Sequence, residues 1–330
     1  MVRYYKCLII LILVLSMSGL KSLNAQQSTQ CLAVITEIKG KAVYKEAWMS
    51  QFAKATWGIR LFNGDQVSTD DKSEVRLLYS DNSFVTVGPN SLITISGAEP
   101  IATEQAGEVK TISSAIGVNF SSFAFKKVEN KDVGALAGVR SADMELTIDL
   151  ESPYSTTIRT DHPAFSWIPK STYDSYTVNL YSSKGLVWSR KVNESTLRYP
   201  ENEKGLEFGE SYFWNVEGEY LINTDKSSNH KFSVLTPEKS REVEGKEFSI
   251  RNAFGDDPES SSLHSVLGAF YIDQGLFQDA ITEFQIISKI NADAPMPHEI
   301  LGSLYSEVGE KDRAIEELKK ALALTNTKNN

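Results

Sequence analysis

The chain has 330 residues, 41% of them hydrophobic and 23% charged, with 43 acidic against 34 basic side chains and a formal net charge of −9. That length and apolar content suit two or three folded domains. The acidic balance repels phosphate backbones and anionic lipid, so nucleic acid is excluded as an expected partner.

Residues 1–25 read as a secretory signal peptide. Arg3 and Lys6 form a short basic start, Cys7 to Leu15 is an unbroken apolar run, and Leu23, Asn24 and Ala25 put a small residue before Gln26. The run is shorter than the roughly 20 residues a membrane-spanning helix needs, so cleavage after Ala25 is expected rather than a retained anchor. No other segment is apolar enough to span a bilayer. The expected location is therefore outside the cytoplasm: periplasmic, extracellular or associated with the cell envelope. Cys7 leaves with the leader, which leaves Cys31 without an intramolecular partner. It is expected to serve as a small apolar residue of the first strand.

Residues 31–150 are expected to form an all-β domain. Short alternating stretches such as Val75, Leu77 and Tyr79 are separated by turn residues, among them Asn63, Gly64, Asp65, Asp81 and Asn82. Period-two alternation with such turns is the strand signature. Gly40, Trp57, Leu61, Gly64, Asp65, Val67, Thr69, Ser73, Val75 and Leu77 occur in a defined order, followed by Ser80 to Ser83 and Val87 to Ser91. This order resembles the FecR domain over about sixty residues. Val139 and Arg140 sit where that family often has Val-Arg-Gly, but Ser141 replaces the glycine. Only six residues precede the apolar run. The resemblance thus implies the extracytoplasmic β module without the family's cytoplasmic anti-sigma segment. Residues 97–140 lack clear periodicity and are expected to complete the module, with or without a short helix.

Residues 152–236 carry a second β pattern. Pro163, Phe165 and Trp167 open it, Tyr176, Val178 and Leu180 alternate, and Gly209, Tyr212, Trp214 and Val216 follow. The set is similar to immunoglobulin and fibronectin-III sandwiches of exported proteins. Residues 237–260 then admit two readings, a charged linker or an extra helix placing Ile250 and Ala253 one period before Phe284 and Ile287.

Residues 261–328 repeat at a spacing of 34. Leu267, Gly268, Tyr271, Gly275, Ala280, Ile281, Glu283 and Phe284 align with Leu301, Gly302, Tyr305, Gly309, Ala314, Ile315, Glu317 and Leu318. This period signals stacked helix pairs, and the order of residues resembles two tetratricopeptide repeats. The small residues would let paired helices approach while Tyr and Phe or Leu fill the space between pairs. By repeat position, the protein-binding inner face would present Ser262, Ser265, Ala269, Ile272, Asp273, Met296, Glu299, Ser303, Ser306 and Glu307. Two repeats are fewer than the usual three for a self-standing array. They are expected to dock on the preceding helix, on the β modules or on another protein.

Residue types that carry chemistry are sparse. His264 and His298 are 34 apart, and a shared packing role accounts for them better than metal ligation, since no third ligand has characteristic spacing. Ser228 and Lys231 match one fragment of a serine-acylase motif without its companions. Asp65, Asp70, Asp71 and Asp81 read as turn residues, because no stretch has calcium-loop spacing. Trp48, Trp57, Trp167, Trp188 and Trp214 are the candidates for stacking on sugars, of which Trp167 and Trp214 are expected in the core and Trp48 is the least committed.

No catalytic residue, metal or cofactor is assigned. The expected fold class is multidomain, two all-β modules followed by an all-α repeat. The expected role is a non-enzymatic exported adaptor or scaffold that holds a protein partner. The alternatives are cell-envelope glycan binding and a FecR-type sensory role without the anti-sigma segment.

Overall fold

The computed structural model of the chain describes residues 30–97, 101–102, 109–112, 148–170, 172–254, 257 and 259–328. The expected leader, the Val139 to Ser141 segment and most of residues 97–140 lie outside these.

Ten of the described strands build the N-terminal module. They are β1 (Ala33–Lys39), β2 (Ala42–Lys45), β3 (Ala53–Lys54), β4 (Arg60–Leu61) and β5 (Gln66–Thr69). β6 (Glu74–Tyr79), β7 (Phe84–Val87), β8 (Leu92–Thr94), β9 (Ile101–Ala102) and β10 (Val109–Ile112) complete the set. They form two five-stranded antiparallel sheets, ordered β10-β7-β6-β1-β4 and β3-β2-β5-β8-β9. The core holds Ile35, Val67, Leu77, Tyr79, Val85 and Ile93. β9 and β10 each close the end of a sheet, so this part of the 97–140 stretch completes the module. The first sheet is buried on both faces. Ala33, Ile35 and Leu77 belong to the inner core, while Val34, Leu78 and Phe84 on the alternate face join a separate cluster with the C-terminal helices. Period-two alternation distributes one strand between two cores in this way.

Nine further strands form a sandwich: β11 (Leu150–Ser152), β12 (Thr156–Ile158), β13 (Ala164–Trp167), β14 (Ser175–Ser182) and β15 (Gly185–Val192). β16 (Thr196–Arg198), β17 (Ser211–Tyr220), β18 (Asn223–Lys226) and β19 (His230–Val234) follow. The order is β11-β13-β16 in one sheet and β12-β19-β17-β14-β15 in the other, with β18 added to β17. All pairs are antiparallel except β12 with β19. This is a fibronectin-III-like arrangement. Phe165, Trp167 and Trp214 are among its most buried side chains, as their strand positions predict.

The C-terminal region is all-α, with five helices among the described residues. α1 (Pro237–Phe254) occupies the stretch left open between linker and helix. It buries Ile250, while Ala253 is exposed, so only one of the two aligned positions behaves as core. α2 (Ser261–Asp273) and α3 (Phe277–Ile290) form the first pair, and α4 (Pro295–Glu307) and α5 (Lys311–Lys328) the second. Gly268 and Gly302 show why the motif needs glycine there. A Cβ at Gly268 would stand 2.7 Å from the Phe284 ring, and one at Gly302 would stand 2.6 Å from Leu318. Asp279 and Asp312 lie in the first turns of α3 and α5, where the helix dipole favours negative charge.

Candidate interaction surface

The face of the helix pairs that sequence position assigns to a ligand meets the chain's own N-terminal module. Ser260 caps α2, its Oγ accepting from Leu263 N at 3.2 Å. That places Ser262 against β1, where its Oγ lies 2.9 Å from Thr36 Oγ1. Next to it the Glu37 carboxylate is buried, and its Oε2 accepts from Arg76 Nη1 at 2.9 Å and from Ser260 Oγ at 3.0 Å. Lys39 Nζ stands 3.4 Å from Glu37 Oε1 and 3.4 Å from Asp257 Oδ2. Removing two charges from water is costly unless each finds good partners, so this seam stays favourable only while it is complete.

Apolar contacts flank the polar ones. Phe254 meets Phe84 edge-on at 4.9 Å, with the Arg76 guanidinium 5.7 Å from the Phe254 ring centre. Met296 of α4 packs on Gly58, where a Cβ would stand 2.6 Å from the Met296 Cβ and Sδ. Gly58 also has φ +83°, so any other residue would be strained as well as crowded. Trp57, 2% exposed, belongs to the cluster that joins the module to the helices. It is therefore a docking residue with no face free for a sugar, unlike the sequence expectation. Trp48 is 73% exposed, with its Nε1 donating to Glu46 Oε2 at 2.5 Å.

The sandwich holds the same helices at their turns. Thr157 N donates to Gly275 O at 3.0 Å, and Thr156 Oγ1 to the same oxygen at 3.3 Å. Arg159 pairs with Glu247 of α1, lies 3.5 Å from Asp279 and sits 5.1 Å from the Tyr271 ring centre. The Tyr271 hydroxyl donates to Glu247 Oε1 at 2.5 Å, and burial pushes its pKa up. Burial also raises the Asp279 carboxyl, with the Arg159 charge acting against it. In the second pair, Tyr154 fills the space beside Gly309, and its ring centre lies 4.1 Å from that of His230 with the two planes tilted by 58°. Burial, with the Lys311 charge second, pushes the His230 imidazole down to about 4.

The ten residues assigned to the inner face therefore divide. Ser262, Ser265, Ala269 and Met296 are buried. Glu299 is partly buried; burial raises its carboxyl pKa and the Arg60 charge lowers it. Ile272 packs partly buried against the shared cluster. Asp273, Ser303, Ser306 and Glu307 are exposed. The open remainder is a short, polar, slightly acidic strip along α4 and the end of α2.

Residues that the sequence reading kept out of any site are also informative. His264 Nδ1 lies 2.5 Å from Glu283 Oε2, and His298 Nδ1 lies 2.5 Å from Glu317 Oε2. Both pairs span the two helices of one unit with identical spacing. The repeated Glu283 and Glu317 in the alignment carried the signal that these histidines needed. Cys31 is buried, its thiol donating to Ala33 O at 3.3 Å, and burial pushes its pKa up to about 11. Asp65 accepts from Phe62 N at 2.8 Å and Ala47 N at 2.9 Å, and Asp81 from Ser83 N at 2.9 Å, the turn roles expected of them. Lys231 Nζ lies 6.0 Å from the Phe213 ring centre. Among the described residues, no group of three His, Cys, Asp or Glu side chains is placed to hold a metal ion, and no helix is long and apolar enough to cross a membrane. The sandwich carries an open cleft of about 270 Å³, lined by Lys184, Val187, Tyr199, Lys204, Glu207 and Tyr212.

No protein-family model matches the chain, and no curated protein matches it. Among solved structures, it is similar to the fibronectin-III domain of human collagen alpha-1(XX), at 17% identity and a TM-score of 0.22. That match covers 29% of this chain and 93% of the other. It is also similar to a beta-1,2-glucanase from Parabacteroides distasonis, at 10% identity and a TM-score of 0.21, over 90% of this chain and 58% of that one. At such identities and scores neither likeness speaks to activity.

Proposed function

We propose that the chain is an exported, non-enzymatic adaptor in which a FecR-like β module and a fibronectin-III-like sandwich hold two tetratricopeptide-type repeats in a fixed attitude. The supporting observation is the shared cluster that joins Val34, Trp57 and Leu78 of the first module to Leu267, Met296 and Leu301 of the helices. An array too short to stand alone is completed by its own β module. The partner surface is then the strip left open, Asp273, Ser303, Ser306 and Glu307, which suits a short polar or basic peptide segment. A photo-crosslinking residue placed at Ser306 in the full chain should capture a discrete protein in its native envelope, while one at Ser262 should give only intramolecular products. Equal capture from both positions, or from neither, contradicts this reading.

A second reading rests on Trp48, which stands in solvent four residues before the exposed Phe52, itself 5.2 Å from Lys45 Nζ. Exposed aromatic faces of this kind stack on sugars. Sedimentation of the chain with purified cell-wall glycan, lost on Trp48→Ala, would favour it over the adaptor reading.

A further inference from the structure

The β17–β18 hairpin of the sandwich turns through two residues, Leu221 and Ile222, between the paired Tyr220 and Asn223. Loops of that length favour Gly, Asn or Asp, because their backbone enters the left-handed region. This loop has none of the three. Leu221 takes φ +51°, a conformation that leucine adopts only at a cost. Leu221 is 92% exposed and Ile222 97%, more than any other large apolar side chain among the described residues. Neither turn chemistry nor core packing therefore accounts for aliphatic residues at this tip.

The surroundings decide what such a tip can meet. Asn223 and Thr224 beside it are exposed and polar. Further along the ribbon, Glu219 pairs with Lys191, Glu217 pairs with Lys226, and the Tyr173 hydroxyl donates to Asp225 at 3.0 Å. A stable protein interface buries about 800 Å² on each partner around an apolar centre. Two aliphatic side chains bordered by polar ones are too little for that. Hydrocarbon has no such requirement, since it accepts an apolar group of any shape. Tyr220 is half-buried just behind the tip, its ring centre 5.7 Å from that of Tyr173. An apolar ring with a polar end suits the boundary between headgroups and acyl chains. The ribbon's charges, Glu217, Glu219 and Asp225 against Lys191 and Lys226, give no basic patch for anionic headgroups. A zwitterionic surface is the one that fits.

We propose that Leu221 and Ile222 insert into the outer part of a zwitterionic lipid layer, so that the sandwich touches a membrane by its β17–β18 tip. The insertion is two side chains deep and leaves the turn's backbone among hydrated headgroups. Such a contact is weak and reversible, no stronger than that of a single acyl chain.

Flotation of the full chain with phosphatidylcholine vesicles tests this. The native tip should bind reversibly, and vesicles enriched in phosphatidylglycerol should bind no better. Leu221→Asn combined with Ile222→Gly installs the usual turn residues. That variant should bind vesicles about a hundredfold more weakly, through loss of two inserted side chains. Its thermal midpoint should rise, because the strain at Leu221 is relieved. A damaged fold would not produce these opposite movements. Equal flotation of both chains, or of neither, overturns the proposal. So does binding that strengthens with phosphatidylglycerol and weakens with salt. A lower thermal midpoint in the variant also overturns it, since the two side chains would then be packing within the chain itself.

Discussion

Glu37 receives Arg76 and Ser260 on one carboxylate oxygen and faces Lys39 with the other, at the boundary between β1 and α2. Because the Arg76 side chain is only 15% exposed, Glu37→Ala would leave a largely buried guanidinium with only the longer 3.9 Å pairing to Glu74. The expected loss is about 3–5 kcal/mol, read as a lower urea midpoint, and a loss below about 1 kcal/mol would mean the seam is hydrated and loose. His230 gives the chain an acid limit. Its folded pKa is about 4 against an ordinary 6.5. Between those values the unfolded chain binds more protons, so stability falls as pH drops from about 6.5 to about 4 and levels off below. Denaturant midpoints at pH 7 and pH 5 should differ, and His230→Phe should flatten the slope. Trp57 marks where residue-level reading failed. Nothing in its local sequence distinguishes a tryptophan buried under a distant helix from one that offers its face to a sugar.

The elements were largely legible, because each is specified by neighbours in sequence. The 34-residue period placed α2 to α5, and the alternation around Val75, Leu77 and Tyr79 placed β6 with its inward face. Gly268 and Gly302 were identified as close-approach positions from the repeat alone, and contact with Phe284 and Leu318 bears this out. Gly302→Val should therefore force α4 and α5 apart, costing about 1–3 kcal/mol by overpacking, visible as a lower thermal midpoint. A stability equal to the unaltered chain would show that Leu318 simply turns aside. What the sequence did not reveal was which element covers which face. Ser262 and Ser265 are small and polar, the composition of a ligand-facing strip. They are also what a helix needs to lie close on Thr36 of a strand. The continuous apolar run from Ala33 to Ile35 held the complementary hint, since a strand with only one covered face alternates and this one does not.

At the scale of the whole molecule, the helices are held between two β modules rather than trailing from them. β1 receives α2 and the Phe254 end of α1, while β12 and Arg159 of the sandwich grip the turns after α2 and the first turn of α3. The helical region thus contributes its inner face to the chain's own architecture and leaves α4's polar strip outward. The separation into docking and open halves depends on α2 lying on β1. Thr36 Oγ1 and Ser262 Oγ, 2.9 Å apart and 226 residues apart in sequence, report that contact most directly. Cysteines placed at both positions, with Cys7→Ser and Cys31→Ser to remove the native thiols, should join in a disulfide on mild oxidation. The expected product is a faster-migrating band on a non-reducing gel, with no free thiol. Two titratable thiols and unchanged mobility would contradict the docked arrangement.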